Sequence, residues 1–480
     1  MNFARYQKIF LIVIFLGIFL SLRANRVQAL EYLNHSDVDL YQEGGFPNTL
    51  YESVANPLQV TNTPSILADI YPGAPSSSPH DLVELNGKIY FVAQSDVFID
   101  LWVYDPTQPV GATNPSIAVD LENNITWSIW AENLISFNGK LYFNFNDGKG
   151  FKIWVFDPNT EVSQENPKSI EAYNAGDPDE YYNPVNNRVI DNKIYFTNTK
   201  CDTSNGVKAM HSIWLYDPAQ PNDIGLNPKI VVTINSDQCN YPIGDLVPLG
   251  GIIYFTAYHS SYGREIWAYD KNIPVDNLVN PKLLFEILPG NQDDFVQEVT
   301  VLETKLVFQA NDGNHGRELW IFDPAKSIGA ENPKMVKDIY PNSPSAYPYG
   351  MEEIDGNLFF IADDGEHGHE YWLYNPNQSI DENNPKMIWD ILPGSGSGAA
   401  NFIPTLVPEY YGNVFFKAND GETGIELWTY DFNQPPSGTN PVLMMDIYPG
   451  YSGSSPEHFF IFDSILYFQA DDGAVGSELW

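Results

Sequence analysis

The chain of 480 residues carries 62 acidic against 24 basic residues, which gives a formal net charge of −38 at pH 7. Phosphate recognition needs a basic face, so this charge argues against nucleic-acid binding, and it disfavours anionic membrane surfaces for the same reason. With 43% hydrophobic and 14% aromatic residues, the chain has ample material for a large core, which argues against disorder.

The N-terminus has the pattern of a secretory signal peptide. Arg5 and Lys8 precede an apolar run over residues 9–22, and small residues follow near position 29. A helix over this run would rise about 21 Å, short of the roughly 30 Å hydrocarbon core, so a cleaved leader is favoured over an anchor. We predict a signal peptide at 1–29, a lead-in segment at 30–61, and no membrane span after cleavage. The mature protein is then exported to the periplasm, the cell surface or the outside of the cell.

One repeat occupies residues 62–480. Eight tryptophans recur at spacings of 52, 60, 53, 53, 52, 56 and 52 residues. They are Trp102, Trp154, Trp214, Trp267, Trp320, Trp372, Trp428 and Trp480. A period just above fifty residues is typical of propellers and solenoids.

Each repeat contains four short runs with strand character. Apolar and aromatic residues alternate between Gly, Pro and Asn, a pattern that favours strands over helices. Asn-Gly or Asp-Gly joins the first two runs, as in the hairpin around Asn86, and the third run carries the tryptophan. Residues 334–339 and 386–391 are examples of the fourth run.

The two ends of the repeat region complement each other. The last repeat stops at Trp480, after its third strand, whereas residues 64–70 have the pattern of a fourth strand without the other three. A ring closed by this N-terminal outer strand explains both ends and removes the edges of an open array. We therefore predict an all-β, eight-bladed β-propeller of four-stranded blades. A truncated open array is the alternative.

The sequence motif around the repeated tryptophans resembles two known repeats. Glu318-Leu319-Trp320, with Asp-Ile-x-Pro-Gly downstream as at residues 446–450, resembles the bacterial secreted repeat family named for ELWxxDGT. Asp-Pro mostly replaces the family's Asp-Gly-Thr, so the resemblance implies a divergent branch. That family is similar to β-propellers and has a poorly defined role. Residues 418–428 fit A-x-D-x-x-T-G-x-E-x-W, the tryptophan-docking motif of eight-bladed quinoprotein alcohol dehydrogenases. That resemblance implies a structural docking role for the eight tryptophans.

The two cysteines are predicted to form a disulfide. Cys201 lies in an insertion between the second and third strands of the third repeat, and Cys239 lies in the loop after that repeat's fourth strand. In a propeller these loops share a face, and an exported chain permits oxidation. Two free thiols are the alternative. The adjacent cysteine pair of the quinoprotein dehydrogenases is absent.

Two sets of polar residues are candidates for ligand binding. Carboxylates in the Asp-Gly loops could bind calcium, although Asp turns that satisfy local N–H groups are the favoured reading. These carboxylates belong to Asp312, Asp364, Asp420 and Asp472. The start of each first strand faces the central channel, where charged residues could hold a cation or a polar ligand, with solvated channel side chains as the alternative. These residues are Asp81, Asp245, Glu298 and His458.

The sequence contains no nucleophile-elbow motif, no zinc-protease motif, no dinucleotide-binding motif and no phosphate-binding loop motif. We predict a monomeric, non-catalytic binding or scaffold propeller whose partner is a protein, a glycan or a divalent cation. One alternative is a propeller enzyme, either a quinoprotein-like oxidoreductase or a polysaccharide lyase or hydrolase. Another is a structural repeat protein of a surface layer or matrix.

Overall fold

Short alternating runs separated by tight turns produce an all-β chain. The computed structural model describes residues 63–95, 98–121, 131–147, 150–170, 184–202, 208–223, 226–275, 280–290, 295–399, 407–410 and 412–480. Over these ranges the chain forms 31 strands and no helix. Accordingly, the described residues contain no helix that is long and apolar enough to span a membrane. The predicted leader and lead-in segment lie outside the described residues, and their boundaries stay predictions.

Blades 1 to 4 follow one another along the chain. Blade 1 comprises β1 (His80–Leu85), β2 (Lys88–Gln94), β3 (Ile99–Tyr104) and β4 (Ser116–Val119). Blade 2 comprises β5 (Ala131–Phe137), β6 (Lys140–Asn146), β7 (Phe151–Phe156) and β8 (Lys168–Ile170). Blade 3 comprises β9 (Val185–Ile190), β10 (Lys193–Asp202), β11 (Lys208–Tyr216) and β12 (Lys229–Ser236). Blade 4 comprises β13 (Val247–Leu249), β14 (Ile252–His259), β15 (Gly263–Asp270) and β16 (Lys282–Leu283).

Blades 5 to 8 repeat the arrangement. Blade 5 comprises β17 (Gln297–Leu302), β18 (Lys305–Asn311), β19 (Arg317–Phe322) and β20 (Lys334–Lys337). Blade 6 comprises β21 (Tyr349–Ile354), β22 (Asn357–Asp363), β23 (His369–Tyr374) and β24 (Lys386–Trp389). Blade 7 comprises β25 (Val407–Tyr410), β26 (Asn413–Asn419), β27 (Ile425–Asp431) and β28 (Val442–Met445). Blade 8 comprises β29 (Glu457–Phe462), β30 (Ile465–Asp471) and β31 (Ser477–Leu479).

The blades are antiparallel meanders arranged in a ring, which confirms the predicted eight-bladed propeller. Blade 8 has three strands of its own, and the N-terminal segment fills the fourth position. There Ala68 forms an antiparallel bridge with Leu479, and the N–H of Leu67 donates to the Leu479 carbonyl oxygen at 2.7 Å. The closing segment is therefore a single bridge and not the regular strand that the sequence predicted.

The outer strands end earlier than predicted. The fourth strand of blade 5 stops at Lys337, because the N–H of Ile339 donates to the carboxylate of Glu318 at 2.9 Å and not to a neighbouring strand. The same chemistry ends the outer strand of blade 6, where the N–H of Ile391 donates to Glu370.

The hydrophobic core lies between adjacent blades. Between blades 5 and 6, for example, Leu319 and Val336 pack against Phe360 and Trp372. Phe360 is completely buried, and its burial alone can contribute about 1.5–3 kcal/mol. Each blade therefore depends on both neighbours for its stability.

An asparagine loop joins strands three and four of blades 1 to 7. In blade 1 the Asn114 amide oxygen accepts the N–H of Asp105 at 2.8 Å, and its amide nitrogen donates to the Asp105 carbonyl oxygen at 2.9 Å. The bond from each of these asparagines to the following proline is cis. The equivalent asparagines are Asn166, Asn227, Asn280, Asn332, Asn384 and Asn440.

Candidate functional site at the channel mouth

Six of the aligned positions at the starts of the inner strands share one unusual backbone conformation, whereas Asp245 of blade 4 does not. Asp81, Asn133, Asn186, Glu298 and His458 all have φ between 54° and 57°, and Gly350 has φ 61°. In all six of these inner strands the ladder shifts register around this residue, at β1, β5, β9, β17, β21 and β29. The shared conformation and irregularity support the equivalence inferred from the sequence. Leu406, the equivalent position in blade 7, lies outside the described residues.

Several of these side chains join one blade to the next. Asp81 Oδ2 accepts the N–H of Leu134 at 3.3 Å, and Glu298 Oε2 accepts the N–H of Gly350 at 3.1 Å. Asn186 Nδ2 donates to the Ile243 carbonyl oxygen at 3.4 Å. The left-handed conformation thus lets each side chain reach the inner strand or leading loop of the following blade. These three side chains therefore link successive blades.

A histidine pair lies where blade 8 meets blade 1. The rings of His458 and His80 have centroids 5.8 Å apart, and the ring nitrogens of His80 contact the carbonyl oxygens of Ser78 and Ala131 at 2.9 and 3.2 Å. Burial, together with the proximity of His80, lowers the pKa of His458. The sequence pattern identified His458 but missed His80, which stands one position before the predicted ring.

A small pocket opens between blades 4 and 5. Its volume is about 150 Å³, and it brings two predicted residues together, Asp245 and Glu298. Arg264 also lines the pocket, with its guanidinium donating to Thr256 Oγ1 at 3.1 Å. Asp245 precedes β13 and has an exposed side chain. This pocket therefore combines two carboxylates and one guanidinium at the channel mouth.

The pocket's carboxylates influence each other. Glu298 keeps solvent access, but the surrounding protein desolvates its carboxylate and raises its pKa. The N–H of Gly350 opposes this shift, and the negative charge of Asp245 adds to it. A positively charged group placed between the two carboxylates would relieve both the repulsion and the desolvation.

The carboxylates of the Asp-Gly loops are occupied by their own turns. Asp312 Oδ1 accepts the N–H groups of Asn314 and His315 at 2.9 and 3.0 Å, while Oδ2 contacts His315 Nδ1 at 2.8 Å. The turn around Asp364 repeats all three contacts with Glu366 and His367. Asp420 and Asp472 likewise accept two backbone N–H groups each. No cluster of three or more His, Cys, Asp or Glu suited to a metal occurs in the described ranges.

The glutamate two positions before the tryptophan binds the loop that leads into the next blade. Glu426 is completely buried and accepts the N–H groups of Ile447, Tyr448 and Ser454 together with the Ser454 hydroxyl. Glu318 accepts three equivalent N–H groups, and burial raises its pKa to about 8. Burial raises the pKa of Glu370 to about 8 as well.

Seven of the eight predicted docking tryptophans lie in third strands, and Trp480 directly follows the third strand of blade 8. Six of them are less than one-tenth exposed, whereas Trp154 and Trp320 are partly exposed. In blade 6 the indole N–H of Trp372 donates to the carbonyl oxygen of Ala362 at 3.0 Å, a bond repeated by Trp102, Trp267 and Trp480. Each of these indoles thereby fixes its strand to the neighbouring second strand.

Cys201 and Cys239 form a disulfide, with their Cα atoms 5.8 Å apart. The location predicted for Cys201 was wrong, because it lies within β10 and pairs with Ala209 of β11, not in an insertion loop. Strands β10 and β11 extend beyond their counterparts in the other blades, and this extension accounts for the long spacing of the third repeat. The disulfide fixes the extension to the loop that follows β12.

No protein-family model matches the chain, and no curated protein sequence matches it. Similar solved structures include a prolyl endopeptidase with 11% identity and a TM-score of 0.48, covering 84% of this chain and 54% of that one. Oligopeptidase B from Trypanosoma brucei has 9% identity and a TM-score of 0.49, covering 83% and 53%. The propeller domain of the trilobed protease from Pyrococcus furiosus has 11% identity and a TM-score of 0.40, covering 73% and 94%. The chain spans about half the length of the first two, and likeness at this level concerns architecture alone.

Proposed function

We propose that this protein is an exported, non-catalytic binding propeller whose pocket between blades 4 and 5 holds a small ligand that carries an ammonium group. The observation that carries the proposal is the placement of Asp245 and Glu298 in one pocket of about 150 Å³. Ligand pockets in propellers and other closed folds commonly combine a concave shape with a few convergent polar groups.

The charge of the whole chain favours the same ligand. A net charge of −38 concentrates cations near the surface and accelerates their association. The exposed carboxylate of Asp245 has no protein partner among the described residues, so it can bind an incoming cation directly. One carboxylate oxygen of Glu298 accepts the N–H of Gly350, which leaves the other oxygen for a ligand.

The probe for this proposal is putrescine, with 1,4-butanediol as its uncharged counterpart. We expect calorimetry on the mature protein to show saturable binding of putrescine and no binding of 1,4-butanediol. Asp245→Asn and Glu298→Gln should each weaken binding roughly tenfold, which corresponds to about 1.4 kcal/mol. Asp463→Asn is the matched control, because Asp463 is an exposed acid in the turn between β29 and β30, far along the strands from the mouth.

Two outcomes would contradict the proposal. If putrescine binds no better than butanediol, the pocket does not select an ammonium group. If Asp463→Asn weakens binding as much as Asp245→Asn, the attraction belongs to the net charge and not to the pocket. Turnover of a ligand that is lost in Glu298→Gln would favour the enzyme alternative.

A further inference from the structure

Arg317 lies against two aromatic rings on the face that carries the Asp-Gly loops. Its guanidinium carbon is 3.6 Å from the centroid of the Phe295 ring and 5.2 Å from that of Tyr347. Both distances fall within the range of attractive cation–π contacts. Arg317 begins β19, whereas Phe295 and Tyr347 lie in the segments that lead into blades 5 and 6. The guanidinium is thus held at the junction of two blades.

The two aromatic residues occupy a backbone position that ordinarily disfavours them. Phe295 has φ 54° and Tyr347 has φ 48°, in the left-handed region where bulky side chains are strained. Three residues before the channel-mouth position of blades 1 and 8, the same conformation is adopted by the small residues Ser78 and Ser455, both with φ 46°. In blades 5 and 6 the strained left-handed backbone at Phe295 and Tyr347 therefore places an aromatic ring beside Arg317.

The donors of Arg317 are unused within the described residues. Its backbone is bonded, since its N–H donates to Ser345 Oγ at 2.9 Å and its carbonyl oxygen accepts the N–H of Tyr347 at 3.2 Å. Its guanidinium, in contrast, makes no hydrogen bond or ion pair with a described side chain, although acidic residues outnumber basic residues by 62 to 24 in the chain. Tyr347 is 45% exposed, and the centroid of its ring lies 5.2 Å from the guanidinium carbon.

We propose that Arg317, Phe295 and Tyr347 form a binding site for the carboxylate of a small organic acid. A planar guanidinium matches the two oxygens of a carboxylate and binds them through parallel N–H bonds. Stacking on Phe295 fixes the plane of the guanidinium, which reduces the entropy lost on binding. The exposed ring of Tyr347 then covers the carbon atoms next to the carboxylate. The surrounding negative charge favours a monoanion over multiply charged phosphate.

This site is separate from the pocket that contains Asp245 and Glu298, and it goes beyond the proposed function. The two proposals fail independently, because one concerns an ammonium group and the other a carboxylate. Asp245→Asn should leave carboxylate binding unchanged, so the variant serves both tests.

The test measures binding of benzoate, galacturonate, galactose and inorganic phosphate to the mature protein by ligand-observed NMR and calorimetry. We expect at least one of the two carboxylates to bind saturably, and we expect galactose and phosphate not to bind. Arg317→Lys keeps the charge but loses the planar fork, and it should weaken carboxylate binding at least tenfold. Arg188→Lys is the matched control, because Arg188 is an exposed arginine on β9 of blade 3, and it should leave binding unchanged.

Tyr347→Ser provides a second variant, because serine already occupies this conformation in blades 1 and 8. It should fold normally and weaken carboxylate binding severalfold through loss of the ring, which keeps the proposal testable if Arg317→Lys proves unstable. Lack of binding of both carboxylates at about 10 mM would overturn the proposal. Equal binding by wild type and Arg317→Lys, or a preference for phosphate, would also overturn it.

Discussion

Glu478 accepts the backbone N–H of Ile70 at 2.8 Å, although 408 residues separate the two along the chain. The same carboxylate accepts the N–H and the hydroxyl of Ser77. Within the ring, Glu426 makes the equivalent bond to Ile447 across only 21 residues. The propeller therefore closes by repeating between its two ends the contact that joins its successive blades.

This contact predicts that Glu478 holds the ring closed. Glu478→Ala leaves the buried N–H groups of Ile70 and Ser77 without an acceptor and should lower the free energy of unfolding by about 3 kcal/mol or more. Urea unfolding followed by tryptophan fluorescence measures the loss, and proteolysis should newly cleave the segment around residues 63–78. Glu318→Ala breaks equivalent bonds in the middle of the chain and should not expose that segment. Equal cleavage in both variants would contradict a latch role.

The buried glutamates predict a fall in stability with rising pH. Burial raises the pKa of Glu318 and Glu370 from 4.5 to about 8, so between these values the folded state binds more protons than the unfolded state. The free energy of unfolding contributed by these groups is therefore largest below pH 4.5 and declines as the pH rises through 8.

The double variant Glu318→Gln, Glu370→Gln tests this linkage. We expect it to lose part of the wild-type decline when urea unfolding is measured between about pH 5 and pH 9. Glu366→Gln is the control, since Glu366 is exposed in an Asp-Gly loop. Parallel curves for the double variant and wild type would show that the buried carboxylates do not cause the decline.

The disulfide predicts a selective loss of stability on reduction. It closes a loop with a sequence separation of 38 residues, for which chain entropy predicts about 4 kcal/mol. The double variant Cys201→Ser, Cys239→Ser should be less stable than wild type by a comparable amount, and dithiothreitol should destabilise only the wild type. A wild type that is insensitive to the reductant would contradict this role.

The indole hydrogen bonds predict unequal costs for two similar substitutions. Trp372 donates to Ala362, whereas the buried indole nitrogen of Trp428 has no partner among the described residues. Trp372→Phe removes a made bond and Trp428→Phe removes an unsatisfied donor, so the first should cost about 1–2 kcal/mol more than the second. Chemical unfolding of both variants measures the difference, and a larger cost for Trp428→Phe would reverse the interpretation.

The Asp-Gly loops predict a weak response to calcium. Because Asp312, Asp364, Asp420 and Asp472 each accept two backbone N–H groups, we expect the thermal midpoint in excess calcium to match that in EDTA. A ligand at about 100 times its dissociation constant would add about 2.7 kcal/mol and shift the midpoint measurably. A saturable rise that is specific for calcium over magnesium would instead establish these loops as metal sites.

The fold could be predicted from the sequence because it depends on local, repeated information. The spacing of eight tryptophans gives the number of blades, and the hairpin turns give their strands. The closing segment was also visible in the sequence, since residues 64–70 have the pattern of a fourth strand and Ala68 bridges Leu479 in the structure. The partners of Glu478 were not predictable, because Ile70 and Ser77 become neighbours only when the ring closes.

The candidate sites depended on the tertiary structure for a related reason. Periodicity identified Asp81 and Glu298 as equivalent residues, but their bonds to the next blade follow from a left-handed backbone that no spacing reveals. Arg264 joins Glu298 in one pocket from a different blade. Arg317 has an aromatic partner on either side of a blade junction, and Phe295 and Tyr347 are separated by 52 residues in sequence. Sequence by itself determined the repeated unit, whereas side-chain contacts between units required the geometry of the closed ring.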